Sequence, residues 1–215
     1  MSLPLPLRNR LADLILESLH DPAARAGLAA VVAVCDDPRA FDGAGARPET
    51  FPGDLFERRP AGLGVRRGFQ AHATEFCERA RRGWAVVRER PLDRPEAPLS
   101  SALPATAALF DAGLYFEVHE QLEPYWIRAD GAEREALQGL IQVAVGFQHL
   151  ANGNTGGARA LLHDGGAKLH AQTLDGLDLD AFAARVRRCR EAVTALGADA
   201  PAHFDWATVP RFPLR

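Results

Sequence analysis

His119, Glu120 and Glu123 are the residues of this chain whose types and spacing could do chemistry. They lie in the run Tyr115-Phe-Glu-Val-His-Glu-Gln-Leu-Glu123, which carries the apolar periodicity of a helix. An imidazole and a carboxylate at i and i+4 sit one above the other on a helix. His119 and Glu123 could therefore hold one divalent metal from a single face, with Glu120 as a base. The same groups could also work as a metal-free acid–base pair. With His119 at the origin of a helical wheel, Tyr115, Leu122 and Trp126 fall within about 60° on one side, and Phe116 and Ile127 within about 80° on the other. This reading puts His119 inside the apolar arc, Glu123 beside it, Glu120 at its edge and Glu117 on the opposite, solvated side. A carboxylate in an apolar face needs a partner.

The next helix offers partners. Gln138, Gln142 and His149 share one stripe, which Glu135 joins at its start. Gly139 and Gly146 lie on the same side and would let another backbone approach closely. A short connection, Ala129 to Gly131, makes the two helices antiparallel neighbours, which could bring the glutamines opposite His119 and Glu123. Tyr115 and Trp126 border the cluster. The stripe reads equally as the wet face of an amphipathic helix, and a buried polar cluster is more often an inert hydrogen-bond network than a site.

The spacing from His119 to Glu123 resembles the zinc-protease helix, with Glu in the place of the second histidine. His149, His163 or His170 could complete a ligand set, but the spacing assigns none of them. Two Glu-x-x-His pairs in register, as a di-iron bundle needs, are not found. Nor is a nucleophile elbow or a phosphate loop, since Gly153-Asn-Thr-Gly-Gly157 lacks the lysine. Asp164-Gly-Gly166 reads as a bend or a close packing point, and Arg185, Arg187, Arg188 and Arg190 as a solvated helix face.

The elements that must position these groups are helical. Leu7 to Leu19 has helical spacing, and Asp21-Pro22 supplies an N-cap and first-turn proline for a second helix through about Val34. Asp36 to Gly64 reads as a long loop, Gly68 to Arg90 as helix, and the proline-rich stretch 91–103 as a linker. Then follow a short helix near Thr106 to Asp111, and helices over Leu114 to Trp126, Ala132 to Ala151, Thr155 to about Gln172, and Asp180 to Leu196. Gly153 suits a C-cap and Asn154 or Thr155 an N-cap. In the irregular tail over 197–215, Phe204, Trp206 and Phe212 should dock on the body. The expected fold is all-α: a compact helical bundle over 104–196, preceded by a helical region over 1–90.

Composition narrows the function classes. A 47% hydrophobic content can fill a core. A net charge of −3 argues against a nucleic-acid or membrane-surface binder. Lys168 is the only lysine, so arginine carries nearly all the positive charge. Cys35, Cys77 and Cys189 have no metal-type or disulfide-type spacing and read as reduced small hydrophobes. The opening Met1-Ser-Leu-Pro-Leu-Pro lacks signal-peptide features, and the longest apolar run is too short to span a bilayer. A cytoplasmic protein is the expectation.

The run from Phe110 to Ala158 resembles the family called domain of unknown function 309. The resemblance is carried by Phe110, Gly113, Tyr115, Glu117, His119, Glu120, Leu122, Glu123, Trp126, Gln138 to Gln142, His149, Gly153, Asn154, Gly157 and Ala158. It covers roughly 104–168, implies a compact helical fold and implies no established activity. Two positions depart from it. Asp111 stands where the family usually has Asn. Pro124 follows Glu123 directly, which should kink or restart the helix.

Two functions follow as expectations. The first is a non-enzymatic binding or interaction protein in which His119, Glu120, Glu123, Gln138, Gln142 and His149 form a buried polar cluster. The second is a metal-dependent or acid–base hydrolase using His119, Glu120 and Glu123. A divalent metal is the candidate cofactor, and a second copy of the chain is a candidate partner.

Overall fold

The helices start and stop where local chemistry directs. In the computed structural model, which describes residues 3–43, 47–94 and 97–214, Asp21 accepts the Ala23 amide at 2.8 Å and Pro22 fills the first turn of a helix. Met1, Ser2, loop residues Ala44 to Ala46, linker residues Pro95 and Glu96, and Arg215 lie outside the described residues. The chain divides into two units, Met1–Ala97 and Pro98–Arg215.

The first unit packs α1 (Leu5–Glu17), α2 (Pro22–Asp36) and α3 (Ala73–Val87) around Leu7, Leu11, Ile15, Leu28, Val31, Phe76 and Ala80. Gly83 lets α3 close on α1, since a Cβ there would stand 2.6 Å from Ile15. The stretch expected to be a loop contains a hairpin, β1 (Phe56–Arg59) against β2 (Gly62–Val65), with Phe56 opposite Val65. Its Phe56, Leu63 and Val65 are buried, and Phe56 meets Phe51 and Phe76 at ring separations of 4.9 and 5.9 Å. Gly62, at φ +117°, lies against the Pro38 carbonyl, where a Cβ would collide.

The cysteine expectation is corrected here. Cys35 at the end of α2 and Cys77 in α3 form a disulfide, because the helices bring their Cα atoms to 5.6 Å. Arg81 reinforces the same corner, reaching Asp36 at 2.8 Å and the Cys35 carbonyl at 3.0 Å. Cys189 alone stays a buried thiol, and burial pushes its pKa up from the ordinary value.

The second unit contains α4 (Leu99–Asp111), α5 (Tyr115–Arg128), α6 (Gly131–Ala151), α7 (Thr155–Leu169), α8 (Asp180–Leu196) and a short α9 (Ala200–His203). The all-α expectation holds, the described strands being only two small pairs. Helix α4 begins at Leu99, ahead of the Thr106 start expected, and accommodates Pro104 in its interior. Helix α7 ends at Leu169, because Ala171 takes a left-handed φ of +57° and a small hairpin follows, β3 (Thr173–Leu174) against β4 (Leu177–Asp178). Asp175 and Gly176, both at positive φ, make its two-residue turn.

Asp180 ties off this connection. Its Oδ1 accepts the Ala171 amide at 2.9 Å and lies 2.7 Å from His170 Nδ1. Those two donors, the amide foremost, hold its carboxyl below the ordinary value. Because the folded value is the lower one, the stabilisation is full above the unfolded value near 3.8 and is lost as pH falls through the folded value.

Phe110 centres the core of this unit, with the rings of Tyr115, Phe147, Phe182 and Phe212 at 5.3, 6.0, 5.7 and 5.7 Å. Phe204 and Phe212 dock as expected, whereas Trp206 stays 39% exposed. Asp111, where the sequence departs from the family resemblance, ties down the tail: Oδ1 accepts the Phe212 amide at 2.9 Å, and Oδ2 lies 3.3 Å from Arg211. Asp111→Ala should cost about 1–2 kcal/mol and loosen the tail, while Asp111→Asn keeps the acceptor and costs about half as much or less. Hydrogen exchange at the Phe212 amide checks this. Equal protection in parent and Asp111→Ala would refute the tether.

Candidate functional site

The site is built on α5. Ala112 to Leu114 turn the chain out of α4, with Gly113 at φ +69°. Helix α5 then runs unbroken from Tyr115 to Arg128 with Pro124 inside it. Of the kink or restart expected at Pro124, the restart does not occur. The ring is exposed, and packing of the flanking turns retains the helix although the Glu120 carbonyl loses its usual amide donor. At the C-terminus, Arg134 supplies donors instead, reaching the Trp126 carbonyl at 2.8 Å and that of Ala129 at 3.3 Å. Its guanidinium also stacks over the Trp126 ring at 4.3 Å. The sequence reading missed this role of Arg134.

The buried arc of α5 differs from the one expected. Leu114, Tyr115, Glu117, Val118 and Leu122 are buried, while Phe116 is half-buried and Ile127 is 63% exposed. The arc is centred near Val118, about 100° from His119. Two expectations are corrected together. Glu117, expected on the solvated side, is fully buried, and His119, expected inside the core face, is half-buried with its side chain 29% exposed. The cause is tertiary. Helix α5 packs against both α4 and α6, so it buries a wide arc, and the wheel gave Phe116 and Ile127 a weight that only one neighbour would justify.

At the edge of that arc the three candidate side chains come together. His119 Nδ1 lies 3.2 Å from Glu120 Oε1, and Nε2 lies 4.0 Å from Glu123 Oε1. One donor atom from each of the three falls within 4.8 Å of the others. No other trio of His, Cys, Asp or Glu among the described residues is so close. The carboxylates are 35% and 43% exposed, so the group faces a surface that solvent reaches. One imidazole nitrogen and two carboxylate oxygens form a donor set for a divalent ion of borderline or hard character.

The remaining candidates separate. His149 Nδ1 lies 2.8 Å from Asn154 Nδ2, while Asn154 Oδ1 accepts the Gly157 amide at 2.9 Å as the N-cap of α7. The amide NH2 can only donate, so Nδ1 accepts and the ring proton sits on Nε2. His149 therefore locks the α6–α7 corner and does not join the trio. Glu135 pairs with Lys168 at 2.7 Å. Tyr115 belongs to the aromatic core, with Phe147 at 5.5 Å. Gly139 and Gly146 face α7, where added Cβ atoms would meet Leu169 at 2.8 Å and Leu162 at 3.0 Å. The close approach expected of these glycines is thus made by α7.

Gln138 and Gln142 are half-buried, and Gln142 Oε1 is buried with no hydrogen-bond partner. Helix α6, which carries both glutamines, packs against α5. Trp126 Nε1 is also buried without a partner.

Residues 103–161 match the model of the family described as Domain of unknown function (DUF309), a segment from α4 into α7 that holds the trio, both glutamines and the His149–Asn154 corner. The family resemblance read from the sequence is borne out over that segment, and the first unit lies outside it. No curated protein and no solved structure matches the chain. Among the described residues, no helix is long and apolar enough to cross a membrane.

Proposed function

We propose that this is a non-enzymatic binding protein whose ligand on α5 is a divalent cation held by His119, Glu120 and Glu123. The observation that carries the reading is the closeness of three donor atoms, all within 4.8 Å, on one turn of helix. Gln142, on the helix packed against α5, adds a buried amide oxygen without a partner, a candidate acceptor for a metal-bound water. Three protein ligands would leave positions open on the ion, and this favours a metal-dependent hydrolase as the second reading.

Metal content, and calorimetric titration with zinc, manganese and iron(II), test the proposal on the parent and His119→Ala. The parent should bind near one equivalent, and His119→Ala should weaken binding about tenfold or more with little change in melting temperature. No binding of any of the three ions, or equal binding by the variant, would refute it. Metal-dependent turnover of a p-nitrophenyl ester or phosphate, lost in Glu120→Gln, would move the hydrolase reading ahead. The compartment is decided by the state of Cys35 and Cys77 in cells: a disulfide is the rule in oxidising compartments and rare in most cytoplasms.

A further inference from the structure

Helices α7 and α8, joined by the β3–β4 hairpin, border an open cleft of about 420 Å³, a volume that suits a small organic ligand. It exists because the facing positions are small: Gly166 and Ala167 on α7 meet Ala183 on α8. Around this gap stand His163 and His170 on one side, and Asp180, Arg187 and Arg190 on the other. Those three residues of α8 recur at helical spacing, so they form one stripe toward the gap.

The charge of the lining is net positive. Among the lining residues two guanidinium groups face one carboxylate, which already accepts the Ala171 amide at 2.9 Å, lies 2.7 Å from His170 and also feels the charge of Arg187, while Arg190 Nη2 lies 3.8 Å from Glu191 outside the lining. Arg190 Nε is buried and has no hydrogen-bond partner. The Arg190 side chain is 32% exposed and its Nη2 has Glu191 nearby, so Nε is the donor left without an acceptor, and a ligand oxygen would satisfy it. Asp180 accepts from Nδ1 of His170 and thereby leaves Nε2 as the free ring nitrogen. The buried side chains of Leu162 and Ala183 supply an apolar floor.

We propose that this cleft binds a small organic anion, with its oxyanion on Arg187 and Arg190 and its apolar body over Leu162 and Ala183. The planar fork of arginine suits both carboxylate and phosphate oxygens, and the shared chemistry is an oxyanion on a compact apolar group. The site lies on α7 and α8, away from the α5 trio, and does not depend on metal binding there.

Calorimetric titration of the full chain with phenylacetate, phenyl phosphate and benzyl alcohol tests this. These probes share an aromatic body and differ in headgroup. At least one anion should bind, the alcohol should bind at least about tenfold more weakly, and the preferred anion identifies the headgroup. Arg190→Gln and, independently, the exposed Arg187→Gln should each weaken the anion about tenfold. His119→Ala should leave it unchanged, so failure here and failure of the metal reading are distinguishable. The proposal is overturned if neither anion binds at concentrations up to about 10 mM, if the alcohol binds as well as the anions, or if both arginine variants bind like the parent.

Discussion

Removing the Cys35–Cys77 disulfide is expected to destabilise the first unit by about 4 kcal/mol. The bridge closes a loop across a sequence separation of 42 residues, and the chain-entropy relation assigns that length a stabilisation of this size. A small unit feels it strongly, since whole domains hold only about 5–15 kcal/mol. Inside that loop lie the β1–β2 hairpin and the irregular segment before it. Replacing both cysteines by serine, or adding a reductant, should therefore raise hydrogen exchange through α1, α2, α3 and the hairpin. Exchange read peptide by peptide keeps the two units apart and makes α5 to α8 the internal control. Unchanged protection in the first unit on reduction would mean that packing alone holds it.

Gly165→Val should destabilise the second unit by about 3 kcal/mol, whereas Gly166→Ala, one residue on, should be neutral or stabilising by up to about 1 kcal/mol. At Gly165 an added Cβ would stand 2.8 Å from the Gly139 carbonyl oxygen and 2.9 Å from the Val143 amide nitrogen. Those atoms belong to helix backbone, so no rotamer relieves the collision and α6 must move from α7. At Gly166 the nearest atom would be Val186 Cγ1 at 3.5 Å, an ordinary contact, and the gain in helix propensity remains. Urea denaturation of the two variants decides this through the opposite signs of their effects. Equal effects would mean that the close contact of α6 with α7 is not tight. The result bears on the site as well, because α6 carries Gln142 and would shift with it.

Much of the helical frame was legible because its signals are local. Asp21-Pro22, Asn152-Gly153-Asn154 and the strong periodicity of α6 and α8 need only neighbouring residues to act, and each appears where expected. The β1–β2 hairpin was hidden inside a segment rich in Gly, Pro and Arg. Its strands are stable through the burial of Phe56, Leu63 and Val65 against partners distant in sequence, a gain that propensity does not register. The β3–β4 turn did carry a signal, Asp175-Gly176, in a stretch too short to stand out.

The sequence by itself determined the all-helical class, the family segment and the three residues that could share an ion. His119 and Glu123 stand one helical turn apart, as Glu120 and Glu123 nearly do, so those pairings follow from the chain alone, whereas the approach of Glu120 to His119 depends on side-chain conformation. Only tertiary structure decided which side of that turn faces the core, because two neighbouring helices and not one define the buried arc of α5, placing Glu117 inside and leaving His119 at the rim. Tertiary structure also drew His149 to Asn154, joined Cys35 to Cys77 and opened the space between α7 and α8. Each of these depends on how separate helices meet, and periodicity within one helix carries no information about the distance to another.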